Sequence, residues 1–241
     1  RVDIVIGGPP CQPFSVRGKQ KGKEDERNGF PIFISAVKRL QPKIFMFENV
    51  RGMLYKNKAY FDYVISELRK LGYTVTYMLL NAVDYQAPQS RERVFCVGSK
   101  TRFHFPKAKE FVVTAQEALG DIINILPENP MFLTPSMDKY IASYEAKSCC
   151  KTPRDLHLNM PARTLTCRNL AGATSDMQRY RLEDGRRRRL TPREAATLQS
   201  FPDWFEFVGT KKDITTQIGN AVPPKFSEVA GKVLVKVYKK Y

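Results

Sequence analysis

Two histidines, one tryptophan and five cysteines are all that this 241-residue chain carries of the residues that most often build metal and redox centres. Cys11, Cys96, Cys149, Cys150 and Cys167 make an odd set without CxxC spacing, which with two histidines supports neither a disulfide framework nor a zinc site and fits a reducing compartment. No apolar run is long enough to cross a bilayer, so no membrane partner is expected. Arg1 runs straight into the strand-like Val2-Asp3-Ile4-Val5-Ile6, with no initiator Met and no charged-then-apolar leader; the chain reads as cut, not processed. Acidic residues are also scarce: 24 Asp and Glu against 40 Lys and Arg give a formal charge of +16. Such an excess points to a polyanion, nucleic acid first, because phosphate contacts release condensed counterions.

Val2 to Ile6 and Ile44 to Phe47 are short apolar runs, as expected of strands covered on both faces. Between them Phe33, Ala36, Val37 and Leu40 recur at helical spacing before Pro42, and a second helix follows through Phe61, Val64, Ile65 and Leu68, closing at Gly72. Tyr73 to Leu80 and Val94 to Val97 read as further strands. This alternation predicts an α/β sheet over the first hundred residues. From about Thr101 to Pro161 periodicity fades into Pro, Asn, Ser and scattered aromatics, which suggests a smaller irregular domain. Order returns at Thr191-Pro192-Arg193-Glu194, an N-cap with a first-turn Pro and a capping Glu, and a last helix carries Phe226, Val229, Ala230, Val233, Leu234 and Val237 on one stripe. The basic run Arg186 to Arg189 reads equally as a solvated turn after Asp184-Gly185 and as a phosphate contact.

Chemistry concentrates at the ends of the predicted strands. Gly7-Gly8-Pro9-Pro10-Cys11-Gln12-Pro13-Phe14-Ser15 follows the first, which puts Cys11 at the carboxyl edge of the sheet, where α/β proteins keep their sites. A thiol there becomes a nucleophile if positive groups lower its pKa. Phe47-Glu48-Asn49-Val50 brings a carboxyl group to the same edge, and Gln89-Ser90-Arg91-Glu92-Arg93 opens a further strand with two arginines at spacing two, on one face of extended backbone.

With Arg163-Thr164-Leu165-Thr166 and Gln217-Ile218-Gly219-Asn220-Ala221-Val222-Pro223-Pro224, these blocks resemble, in order, the DNA cytosine-5 methyltransferases, specifically compact bacterial modification enzymes such as those of the HhaI and HaeIII systems. The resemblance covers roughly Asp3 to Ser99 and Arg163 to Tyr241. It implies a Rossmann-like, mixed, twisted sheet of the S-adenosylmethionine-dependent methyltransferase type beside a smaller recognition domain. The expected division is 1–100 catalytic, 101–190 target recognition with its core at 101–169, and 191–241 completing the catalytic domain.

The resemblance also implies roles. Cys11 adds to carbon 6 of a flipped-out cytosine in double-stranded DNA, Glu48 hydrogen-bonds or protonates ring nitrogen 3, and Arg93 and Arg91 hold the cytosine oxygen and nearby phosphate. Val16 to Lys23 resembles the family's mobile loop, with Ser15 and Lys19 as phosphate contacts and Arg17 entering the space left by the base; Thr164 supports the target-side backbone. S-adenosyl-L-methionine is the implied cofactor, with Pro10, Phe30, Asn220 and Ala221 on its site. The family's Phe- and Gly-rich opening loop has no counterpart here, so roughly 70 further residues ahead of Arg1, or a complementary subunit, are expected to supply it. No metal is implied, and the expected location is the bacterial cytoplasm, with DNA. Two other readings stand beside this one. A tRNA cytosine-5 methyltransferase shares the Cys and Glu, although its Cys-Phe-Thr element is absent; a non-catalytic, DNA-binding piece of a split enzyme is the other.

Overall fold

The computed structural model describes residues 2–10, 28–101, 103–148, 154–172 and 176–241. The chain forms two compact units: Arg1–Asn81, Glu92–Lys107 and Glu228–Tyr241 make the first, Ala82–Arg91 and Ala108–Ser227 the second.

In the first unit, strand β1 (Ile4–Gly7), helix α1 (Phe30–Leu40), strand β2 (Ile44–Val50), helix α2 (Lys58–Lys70) and strands β3 (Thr74–Asn81) and β4 (Glu92–Ser99) succeed one another. The sheet order is β1-β2-β4-β3, with β1 parallel to β2 and the other neighbours antiparallel, so the sheet is mixed as expected. Alternation along β2 sends Phe45 and Phe47 into a core with Val75, Val94 and Cys96 from the neighbouring strands, Phe30, Phe33 and Val37 from α1, and Phe61, Val64 and Leu68 from α2. Each fully buried side chain of this size contributes about 1.5–3 kcal/mol. Edge-to-face contacts of Phe30 and Phe33 with Phe47, both at 5.4 Å, orient the rings. Helix α1 stops where Gln41 turns left-handed (φ 44°) and returns its amide to Val37, immediately before Pro42. One departure from expectation is β1, which is only half covered: Ile6 is 63% exposed.

The second unit holds helix α3 (Ala115–Leu119), helix α4 (Pro135–Lys147), helix α5 (Cys167–Ala171), strands β5 (Arg179–Arg181) and β6 (Arg187–Arg189), and helices α6 (Pro192–Leu198) and α7 (Lys211–Asn220). Helix α8 (Pro224–Tyr238) begins in it and continues in the first unit, where Ala230, Leu234 and Val237 are buried and the Tyr238 hydroxyl donates to Asp3 at 3.3 Å. Tyr241 fixes the end of the chain by donating to the Lys43 carbonyl and accepting from the amides of Lys100 and Thr101.

Among the described residues the apolar clusters of the second unit are small, and threonine caps and buried ion pairs add to them. Thr114, Thr166, Thr191 and Thr210 each form a reciprocal capping box, of which the one at Thr191 was legible as a pattern. Arg179, fully buried, donates to Asp155 and Glu145. Arg188, also fully buried, makes a bidentate pair with Glu194 at 2.9 and 2.6 Å and donates to the Ile123 carbonyl. The basic run is therefore neither a simple solvated turn nor a free phosphate contact: residues 187–189 form β6, and Arg186, Arg187 and Arg189 bind Asp184, Asp155 and the Leu170 carbonyl.

The unit boundaries differ from those read in the sequence. Residues 191–227 group with the expected recognition domain, and 82–91 join them because the buried side chains of Gln89 and Arg91 bond to Leu165, Leu198 and Gly219. Glu194 serves at once as the capping residue of α6 and as the partner of Arg188. Glu194→Ala leaves a buried guanidinium without its carboxylate and is expected to lower stability by about 3–5 kcal/mol in denaturant titrations; a loss under about 1 kcal/mol, the range of an exposed pair, would contradict this account.

Candidate active site

Strand β1 delivers Gly7-Gly8-Pro9-Pro10 to the carboxyl edge of the sheet, with Pro9 buried and Pro10 exposed. Cys11 itself, together with Ser15, Arg17 and Lys19 and the whole Val16 to Lys23 loop, lies outside the described residues, as do Cys149 and Cys150. The turn before Cys11 is held from two sides. Gly29, at the start of α1, touches it so closely that a Cβ there would lie 2.4 Å from Pro10 Cδ. From β2, the buried Asn49 side chain donates through Nδ2 to the Pro9 carbonyl at 3.0 Å.

Glu48 and Asn49 are neighbours in β2, so their side chains leave opposite faces of the sheet. Asn49 reaches the Pro-Pro turn, and Glu48 lies on the face shared with Val50 and with its cross-strand partner Arg93. The diagonal offset between Glu48 and Arg93 is within reach of long side chains, and Arg93 Nε meets Glu48 Oε1 at 2.9 Å. Both side chains stay partly accessible, at 13% for Arg93 and 20% for Glu48, so an incoming group can reach the pair. Arg93 also donates to the Glu92 carbonyl at 2.7 Å, which fixes its guanidinium. Just beyond, Arg51 pairs with Glu92 and stacks 5.2 Å from the Tyr55 ring.

Arg91 departs from its expected place. Strand β4 starts at Glu92, Arg91 belongs to the second unit, and its guanidinium, 2% exposed, donates to the carbonyls of Leu165 at 2.6 Å and Gly219 at 3.1 Å. A spacing of two places two residues on one face only while both lie in the same strand. Thr164, half-buried in the second unit, donates its hydroxyl to the Ser90 carbonyl at 2.6 Å.

Of the residues assigned to the cofactor, Pro10 is exposed in the first unit, and Asn220 is exposed and Ala221 half-buried at the end of α7 in the second. Phe30 is fully buried, edge-on to Phe47 and Tyr60, so it supports a site from the core and does not offer its ring face. Cys96 is fully buried and burial pushes its thiol up, which makes it inert. Among the described residues no cluster of His, Cys, Asp and Glu is arranged to hold a metal, and no helix is long and apolar enough to cross a membrane.

Sequence reasoning missed the roles of Asn49, Gln89 and Gln199. Asn49 and Gln89 stand inside quoted motifs, and a polar residue within an apolar strand was the available signal for Asn49. Gln199 follows Leu198 at the end of α6 with nothing in its neighbourhood to mark it.

Comparison with known proteins matches residues 1–236 to the family model of the C-5 cytosine-specific DNA methylases. The Type II methyltransferase M.AplI of Arthrospira platensis is 57% identical over 232 residues, covering 95% of this chain and 67% of its own length. The Type II methyltransferase M.NgoMIV of Neisseria gonorrhoeae is 34% identical over 250 residues, covering 99% of this chain and 79% of its own. Among solved structures, the Entamoeba histolytica methyltransferase EhMeth aligns with a TM-score of 0.66 at 19% identity over 98% of this chain and 76% of that one. The S. pombe Dnmt2 methyltransferase aligns with a TM-score of 0.64 at 16% identity over 98% of this chain and 78% of that one. At those identities the solved structures speak for the mixed α/β fold, whereas the family model spans almost the whole sequence and makes this chain a member of the C-5 cytosine-specific DNA methylases.

Proposed function

We propose that Cys11 is the nucleophile with which this DNA cytosine-5 methyltransferase activates a flipped-out cytosine in a specific double-stranded sequence, and that Glu48 and Arg93 are its partners. The observation that carries the reading is the junction at Glu48-Asn49, where one residue pairs with Arg93 and the next holds the turn leading into Cys11. The methyl donor, S-adenosylmethionine, would supply an electrophilic methyl group and leave as S-adenosylhomocysteine. Carbon 5 of cytosine is too weak a nucleophile to take it while the ring stays conjugated. The Cys11 thiolate adds to carbon 6 while Glu48, protonated, gives its proton or a hydrogen bond to nitrogen 3 and is left as the carboxylate that pairs with Arg93; carbon 5 of the resulting enamine accepts the methyl group, and nitrogen 3 returns the proton to Glu48 when the ring is restored. A base then takes the carbon 5 proton, the bond from Cys11 to carbon 6 breaks, and the double bond between carbons 5 and 6 returns. Arg93 holds Glu48 in place and offers charge-assisted donors to the cytosine oxygen.

Within this reading Pro10, Asn220 and Ala221 contact the cofactor, Phe30 supports from the core, and Ser15, Arg17, Lys19 and Thr164 meet DNA. Arg91 acts through the Leu165 backbone and not on the base. Residues 101–161, with 163–169, read the target sequence through the major groove. Such a substrate puts the protein in the bacterial cytoplasm.

Cys11→Ser is expected to abolish methylation while duplex binding persists, since a hydroxyl is a far weaker nucleophile than a thiolate at neutral pH. A duplex carrying 5-fluorocytosine at the target should trap a covalent adduct, because fluorine cannot leave as a proton; peptide mapping should find it on Cys11, and an adduct on Cys167 would overturn the assignment. Exchanging residues 101–169 for the matching segment of a relative should exchange the methylated sequence. An active hybrid that keeps its original target would show that sequence reading lies elsewhere.

A further inference from the structure

Gln89, Arg91 and Gln199 take no part in the chemical steps, yet they form a buried polar clamp inside the second unit. Both peptide groups of Leu165 are held by it: the amide donates to Gln89 Oε1 at 2.9 Å, and the carbonyl accepts from Arg91 Nη1 at 2.6 Å. The same two residues reach the end of α7. Arg91 Nη2 donates to the Gly219 carbonyl at 3.1 Å, and Gln89 Nε2 donates to Gln199 Oε1. Gln199 in turn donates through Nε2 to the carbonyls of Ile218 at 2.8 Å and Ala221 at 2.7 Å. Gln89 and Gln199 are 0% exposed. The direction of the chain of bonds is fixed, because a reversed Gln199 amide would set its oxygen against two carbonyl oxygens. Its Oε1 must therefore face Gln89, whose own Oε1 is left for Leu165. The two backbone segments also touch: a Cβ on Gly219 would lie 2.0 Å from the Cys167 amide nitrogen.

We infer that Gln199 is a positioning residue that fixes the Asn220-Ala221 end of α7 against the Thr164-Leu165 segment, so that the placement of one depends on the other. This rests on the reading above for what the two segments bind, the cofactor at one end and DNA at the other. A buried amide satisfied at three points transmits displacement, since moving either end leaves a desolvated polar group without its partner.

The test uses Gln199→Leu, which removes every bond at similar volume, and Gln199→Glu, which keeps an acceptor for Gln89 but turns an oxygen toward Ile218 and Ala221. Two readouts are taken on the protein, the steady-state constants for methyl transfer and amide hydrogen exchange at Leu165. Either variant should speed Leu165 exchange about tenfold although residue 199 does not touch that amide, and should raise KM for S-adenosylmethionine about tenfold with kcat changed less than about threefold. Unchanged Leu165 exchange in a folded variant would overturn the clamp. Faster exchange with an unchanged cofactor KM would overturn the positioning role. If the wild-type protein transfers no methyl group to DNA, the functional reading fails by that result alone, while the exchange rate still decides the clamp.

Discussion

The antiparallel pairing of β2 with β4 is the constraint on which the candidate site depends. Its register sets Val50 opposite Arg93 and so leaves Glu48 one diagonal step from the same guanidinium, on a face that keeps both reachable. A shift of one residue would turn Arg93 to the other face and leave Glu48 without its cation. The other edge of β2 is paired to β1 in parallel, which carries Pro9 past Phe47 to a position that Asn49 can hold. One strand thus fixes both the carboxylate and the approach to the thiol, and the aromatic core beneath it keeps that strand from moving.

Charge is used differently in the second unit. The formal excess of +16 suggests a broad basic surface, but Arg154, Arg163, Arg179, Arg181, Arg187 and Arg188 are bound to Asp176, Asp155 and Glu194. Even Arg163, beside Asp176, is pulled below its ordinary value by loss of solvent. These pairs hold short helices and a two-stranded ribbon whose apolar clusters are small. They give little net stability over apolar packing, yet removing one partner is costly, which fits a unit whose shape matters more than its stability.

Most of the first unit was legible in the sequence because its periodicities are strong: the apolar runs of β2 and β4 and the stripes of α1 and α2 appear within a residue or two of their expected places. Helix α4 was not, since Ile141 is its one fully covered side chain and its start is signalled only by Thr134 and Pro135. The place of Glu48 at the end of β2 could be read from motif and position, whereas Cys11 lies outside the described residues. The separation of Arg91 from Arg93 could not, because it depends on where β4 begins and on carbonyls 74 and 128 residues away. The same holds for Asn49 and Gln199, whose amides acquire meaning from partners that only the fold brings near.

Glu48→Gln isolates the central claim, since the amide keeps the shape of the carboxyl group but can neither form an ion pair with Arg93 nor give a proton to cytosine nitrogen 3. With duplex DNA tritiated at carbon 5 of the target cytosine and S-adenosylmethionine present, each turnover releases one tritium to water. The variant is expected to bind DNA and to release tritium at least about a hundredfold more slowly than the wild type, the scale of a lost general acid. Release within about threefold of wild type would contradict the role assigned to Glu48 and, with it, the account of why β2 and β4 pair as they do.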